Sequence, residues 1–327
     1  MNSIFVSRSG DGHLNLATDE YLLEQYRLGR MEGVTLFFYV NSGDVIIGRN
    51  QSAWRECDVD RMRRDGVRLV RRHTGGGAVY HDEGNLNFSF ITDELLYDKQ
   101  RLNAVVLRAV RSLGVPAEVS GRNDFTFEGR KFSGCAYGLS GRARAMHGTL
   151  LVNTDFGRLS EYLKPSRMKL EAKGISSVKA RVVNLSEAAE VSVDRAREAI
   201  AREFIREFGE AELLTLSDEA KEAVGRLYEK QRSWEWIFGR TPDFDISFEE
   251  RLSFGEIQLH LRLHGGVVTE AAVFTDALDV GIADEIASLV TGCRFGKKAL
   301  AGALNKGGAE ARELARRLNE TEYGYDE

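Results

Sequence analysis

Cysteine is scarce: Cys57, Cys135 and Cys293 stand far apart, and none belongs to a CxxC pair. That spacing argues against a disulfide framework, a paired-cysteine zinc site or a redox dithiol. Long apolar runs are also missing, because charges interrupt each one before it could span a bilayer. The opening MNSIFVSRSGDG has no basic stretch leading into an apolar one, so the cytoplasm is the expected compartment. There is no excess of positive charge. A net charge of −5 argues against extended binding to a phosphate backbone, while leaving room for a local basic pocket. No GxGxxG opens a helix, and HExxH and GxSxG are absent. Hydride transfer on a Rossmann domain, zinc proteolysis and serine hydrolysis therefore lose their usual sequence support. The segment GCRFGKKA at 292–299 is one residue short of a phosphate-binding P-loop and has Ala299 where Ser or Thr is required. No repeat or low-complexity tract is visible.

What is present is a globular composition, 43% hydrophobic and 29% charged, in a chain long enough for two domains. LNLATDEYLLEQYR has helical spacing. TLFFYV and VIIGR flank the turn signal NSGD and read as a hairpin. VRLVRR at 67–72 and NLNFSFIT at 85–92 read as strands, Leu102 to Leu113 as a helix, and DFTFEGRKFSGCAYG and MHGTLLVN as further strands. VDRAREAIAREFIREF is an amphipathic helix. SWEWIFGRTPDFDI then crosses into an alternating pattern turned at His264-Gly265-Gly266, and two helical stretches close the chain. Strands and helices without regular alternation predict α+β, an antiparallel or mixed β-sheet flanked by helices. The pattern change predicts a boundary near residue 246, giving domains 1–246 and 247–327.

The densest chemistry lies in RRHTGGGAVYHD at 71–82. Gly75, Gly76 and Gly77 let a turn present backbone N–H groups to a phosphate or carboxylate without Cβ obstruction. Arg72 beside them offers a bidentate grip on the same anion. A triple glycine alone equally suits a tight hairpin loop, and His81-Asp82 equally a polar strand end. In GRNDFTFEGRKFSGCAY, Lys131 follows a turn at the start of a strand. A lone lysine is usually solvated, but one pointing into that anion site would hold a carboxylate and an α-phosphate together. Asp124 suits either Mg²⁺ or a turn cap after Asn123. Cys135, four residues beyond Lys131, reads as a buried small hydrophobe.

These segments, with LNLATDE, DVIIGRNQSAWREC, SGRNDF, HGTLLVN, KGISSVKARVVNL and QRSWEWIFG, resemble the lipoate–protein ligases of the biotin and lipoate ligase superfamily over nearly the whole chain. The resemblance implies the class II synthetase-like catalytic fold of that superfamily and a small α+β C-terminal accessory domain. It implies ATP and Mg²⁺ as cofactors, lipoate as substrate and lipoyl-AMP as intermediate. The implied partners are the lipoyl domains of 2-oxoacid dehydrogenases and the glycine cleavage H protein; separately, no coiled-coil seam or other association motif is visible, so a monomer is expected. By the same resemblance, Lys131 contacts both acyl carboxylate and phosphate, and Arg72 binds the adenylate. Gly77, Ala78, Val79 and Tyr80 run along nucleotide and acyl chain, Asp124 lies by the phosphate and metal, Tyr39 lines the lipoyl tunnel, and His147 precedes the HGTLL strand that closes the pocket.

Two relatives give the alternatives. A cysteine-dependent octanoyltransferase places its nucleophile shortly before SGRNDF or three residues before His147; here the first segment has no cysteine and the second position is Arg144. The GRGRxG loop of biotin ligases is absent. A catalytically silent acyl-carrier-binding protein is the third possibility.

Overall fold

The computed structural model describes residues 1–121, 123–164, 182–238, 246–264 and 266–320. Arg122, most of KGISSVKARVVNL, the crossover beyond Phe238 and Gly265 lie outside the described residues. The strands are β1 (Asn2–Val6), β2 (Thr35–Tyr39), β3 (Asp44–Ile47), β4 (Arg68–Arg71), β5 (Val79–His81), β6 (Asn85–Asp93), β7 (Glu118–Ser120), β8 (Asp124–Phe127), β9 (Arg130–Ser140), β10 (Ala143–Leu151), β11 (Ala211–Leu213), β12 (Ile246–Leu252), β13 (Gly255–His264) and β14 (Val267–Thr275). The helices are α1 (Gly12–Arg27), α2 (Ala53–Glu56), α3 (Val59–Asp65), α4 (Lys99–Ser112), α5 (Phe156–Tyr162), α6 (Val193–Phe208), α7 (Asp218–Arg232), α8 (Trp234–Ile237), α9 (Ile282–Val290), α10 (Lys297–Leu304) and α11 (Ala309–Glu320).

The main sheet has eight strands in the order β11-β1-β2-β6-β10-β9-β8-β7. Its first two pairings are parallel; those from β2 onward are antiparallel. One face buries Phe88, Phe90, Phe132, Cys135 and Met146 against α4 and α6, whose apolar stripes follow from their helical spacing. The other face packs Phe37, Tyr39, Ile91 and Ala145 against Leu16, Leu22 and Tyr26 of α1. The Asp11 carboxylate starts α1 by accepting from the N–H groups of His13 and Leu14.

The expected hairpin between TLFFYV and VIIGR does not form. β2 lies between β1 and β6, whereas β3 is the centre of a separate three-stranded sheet, β4-β3-β5. The connection owes its course to tertiary contacts that a local turn signal does not contain. Asn41, fully buried, accepts from Asn15 Nδ2 at 2.8 Å and donates to His81 Nδ1 at 3.1 Å. Together these bonds carry the chain from one layer to the next.

The C-terminal strands form an antiparallel sheet, β12-β13-β14. Their core of Ile257, Leu259, Ile286, Leu304 and Leu314 is separate from that of the main sheet, and on this separation we propose the boundary at residue 246. Three helices follow the sheet rather than the expected two. The break falls at Gly307, where an added Cβ would lie 2.6 Å from Leu289 Cδ1 and 2.8 Å from Ala311 Cβ.

Arg71 ties the small sheet to α8 and to the segment after β3. Only 3% exposed, it donates to the carbonyls of Gly48, Arg49, Gln51, Trp236 and Ile237 at 2.6–3.0 Å. Trp236 Nε1 donates back to the Arg71 carbonyl at 2.9 Å. Buried carbonyls left without a donor cost about 1–3 kcal/mol each. Arg71→Met is therefore expected to destabilise the protein by roughly 3 kcal/mol or more in urea unfolding; a loss within error would show these bonds to be dispensable.

Candidate active site

The glycine loop folds around a buried cation. Arg72, just past β4 and 7% exposed, donates from Nε and Nη2 to the Gly75 carbonyl at 3.0 and 2.7 Å, and from Nη2 to the Gly77 carbonyl at 2.8 Å. Burial lowers its pKa to about 10, against a raising effect of the Tyr39 phenol. It stays charged at neutral pH. Because carbonyls point at the guanidinium, the loop is bent with its backbone dipoles ordered.

Glycine is required there by close approach. Gly76 has φ +94°, and an added Cβ would come within 2.8 Å of Arg72 Nη2. At Gly75 a Cβ would lie 2.1 Å from the Ala277 carbonyl oxygen, and at Gly48, 2.1 Å from the Gly76 carbonyl oxygen. The Gly76 N–H donates to the Ala277 carbonyl at 3.0 Å. Thus the turn after β14 rests on the loop, an association that pattern reading did not anticipate.

Lys131 enters the same region from β9. Its ammonium pairs with Asp124 Oδ1 at 2.7 Å and lies over Gly134, where a Cβ would approach Nζ to 2.7 Å. Alternate residues of a strand share a face. A Cβ on Gly138 would come within 3.1 Å of Thr74 Cγ2, and one on Gly76 within 3.8 Å of Ala136 Cβ. Gly134, Ala136 and Gly138 therefore make one low floor, with Lys131 above one end and the glycine loop above the other. Nζ and loop are separated by roughly two residues of strand, about 7 Å. Lys131, Asp124 and the three glycines are brought together.

The floor continues across the sheet. Ala136 pairs with His147, His147 with Ser89 and Ser89 with Phe37; Tyr39 stands two residues along on the same face. Tyr39 packs with Ile46, Val70, Val79 and Ile91 in an apolar cluster, and burial, then the Asp19 charge, raises its pKa so that it stays a phenol. Tyr80, by strand alternation, turns the other way. It joins the cluster on the far side of the small sheet and packs on Tyr162 with ring centroids 5.8 Å apart. Ala78 sits at the edge of that second cluster. Cys135 also faces away, into the helix-covered core, where burial pushes its thiol up to about 12. Cys57 is likewise buried and pushed up to about 12.

The buried histidines are the residues the sequence left least explained. His147 Nε2 and Thr74 Oγ1 lie 2.6 Å apart, and His147 Nδ1 is 3.4 Å from Asp19 Oδ2. His73 Nε2 is 3.6 Å from the same oxygen. Asp19 and His73 sit inside LNLATDE and RRHTGGG, and no local spacing marks their meeting. His81 accepts from Asn41 at Nδ1, which leaves its proton on Nε2.

Burial, then the charges of Arg72 and His147, lowers the His81 pKa from 6.5 to about 3. Between those values the unfolded chain takes up a proton that the folded chain does not. The contribution to stability is therefore constant above about pH 6.5 and declines as pH falls toward 3. His81→Gln is expected to lose less stability than wild type between pH 7 and pH 4.5, by on the order of 2 kcal/mol; parallel acid limbs in urea unfolding would contradict it.

Residues 11–205 match the family model of the lipoyl protein ligase A/B catalytic domain, and residues 241–313 that of the bacterial lipoate protein ligase C-terminus. Among solved structures, the chain is similar to LipL1 of P. falciparum in complex with lipoate: 25% identity, 98% of this chain and 100% of that one covered, TM-score 0.85. It is 30% identical to a chain of the bi-partite lipoate protein ligase and E2 lipoyl domain system of Thermoplasma acidophilum, covering 75% of this chain and 99% of that one at TM-score 0.65. A lipoate-protein ligase A bound with ATP is 30% identical over 73% of this chain and 98% of its own, at TM-score 0.64.

Proposed function

Since the chain belongs to the lipoyl protein ligase A/B family, we propose that it is an ATP-dependent lipoate–protein ligase working through lipoyl-AMP. The observation that carries this reading is the Lys131 ammonium standing over Gly134 on the same strand face as the glycine loop. One end of that floor is cationic and the other is lined by ordered backbone dipoles, while Tyr39, Val79 and Ile91 form an apolar cluster beside it that suits contact with an acyl chain.

A carboxylate is a poor acceptor for an amine at neutral pH, so one oxygen must become a leaving group. The lipoate carboxylate oxygen attacks the α-phosphorus of ATP, the bond to the bridging oxygen breaks, and pyrophosphate leaves. The lysine amine of an acceptor then attacks the acyl carbon, forms an amide, releases AMP and gives its proton to solvent. Lys131 lowers the energy of the charge on the phosphate and holds the carboxylate against it. Arg72 shapes the loop and keeps a positive charge under the adenylate. Asp124, about one-third exposed and sharing one oxygen with Lys131, would hold Mg²⁺ through its carboxylate. When bound, that ion would spread charge over the phosphates.

The cysteine-dependent transferase has less support, because Cys135 points into the core and both buried thiols are held protonated. The proposed acceptors are lipoyl domains, those of 2-oxoacid dehydrogenases and the glycine cleavage H protein, with the protein acting as a cytoplasmic monomer.

Lipoate-dependent exchange of labelled pyrophosphate into ATP is the direct test. Lys131→Ala is expected to reduce it by about 10²-fold or more while circular dichroism stays unchanged. Equal lipoylation of an acceptor domain with and without ATP would sink the ligase reading. Gly134→Ala, which pushes a methyl group into the ammonium, is expected to slow adenylate formation without unfolding the protein; full activity would remove the Gly134 contact from the mechanism.

A further inference from the structure

We propose that Asp19, His73 and His147 form a buried site for a divalent transition-metal ion of the zinc class, distinct from the nucleotide's magnesium. One ligand comes from α1, one from the segment between β4 and the glycine loop, and one from β10. Asp19 Oδ2 lies 3.6 Å from His73 Nε2 and 3.4 Å from His147 Nδ1, and all three donor atoms lie within 4.8 Å of one another. A tetrahedral zinc ion with bonds near 2.0–2.1 Å sets its ligand atoms about 3.3–3.4 Å apart. The two measured separations approach that spacing without the ion.

The polar bookkeeping points the same way. The Asp19 side chain is 1% exposed and that of His73 9%. Among the described residues neither ring nitrogen of His73 has a hydrogen-bond partner, nor has Asp19 Oδ1. Buried groups left in that state each cost free energy, and the carboxylate costs more than the imidazole. Two imidazoles and a carboxylate are a donor set suited to zinc, cobalt or ferrous iron rather than magnesium. The second shell is already in place: His147 Nε2 is 2.6 Å from Thr74 Oγ1, leaving Nδ1 to bind the ion. Three protein ligands leave the fourth position to water. A bound ion would fasten α1, the base of the glycine loop and β10 to one point.

Cobalt(II) is the probe, because its d–d absorption reports coordination number whether or not the enzyme turns over. Untagged, chelator-treated protein is expected to bind one equivalent of Co²⁺, with visible bands of four-coordinate intensity that zinc displaces and millimolar magnesium does not. Asp19→Asn and His73→Gln, checked for folding by circular dichroism, are expected to weaken binding by more than about 100-fold. Should Asp19→Asn fail to fold, His73→Gln and the paramagnetically shifted imidazole protons of cobalt-loaded wild type still identify the ligands. Absence of a stoichiometric cobalt complex in wild type would overturn the site. Undiminished binding by the folded variants would overturn the assignment of its ligands.

Discussion

A guanidinium taken out of water and handed to three backbone carbonyls is the constraint around which this protein is arranged. Arg72 keeps its charge because the carbonyls of Gly75 and Gly77, and that of Ile46 at 3.4 Å, replace its hydration. Glycine follows from that bargain: the chain must curl within hydrogen-bond distance of one side chain, and a Cβ at Gly76 would occupy the space of the donor. The neighbouring Arg71 repeats the device with five carbonyls on the outer side of the strand end. Two successive arginines thus set the positions of the loop, of α8 and of the segment after β3.

Strand alternation divides the labour on β9. Gly134, Ala136 and Gly138 face the loop and remain small, so that a ligand and an ammonium have room above them. Ser133 and Cys135 face the helices and are buried. One run of residues therefore builds the floor of a site and part of a hydrophobic core. The position of Cys135, four residues from Lys131, implies proximity in sequence and delivers the opposite side of the sheet. A thiol placed there contributes volume to the core.

Much of this was legible before the structure. The α+β class, α1, β6, β10, α6 and the antiparallel C-terminal strands follow from periodicity, and the triple glycine and Lys131 stand out in the sequence as residue types that suit an anion. The β2–β3 connection was misread because NSGD has the composition of a hairpin turn, while its course depends on Asn15 and His81, 26 and 40 residues away in sequence from Asn41. Asp19 and His147 meet across 128 residues, a pairing that local spacing does not encode. Tyr80 was legible as an aromatic residue beside the loop; only the alternation of β5 against a second sheet says that its ring points elsewhere.

The bond from the Gly76 N–H to the Ala277 carbonyl joins the loop to a part of the chain with a core of its own. Because both partners belong to one polypeptide, their meeting is unimolecular, at an effective concentration on the order of millimolar where the connection spans the gap. Bonds from the Thr275 N–H to the Asn50 carbonyl and from Asn50 Nδ2 to the Val280 carbonyl add to this contact, yet a few such bonds would hold separate molecules together only weakly at cellular dilution. Within one chain the contact is populated at any protein concentration, so the course of the glycine loop is held in part by residues more than 200 positions away in sequence.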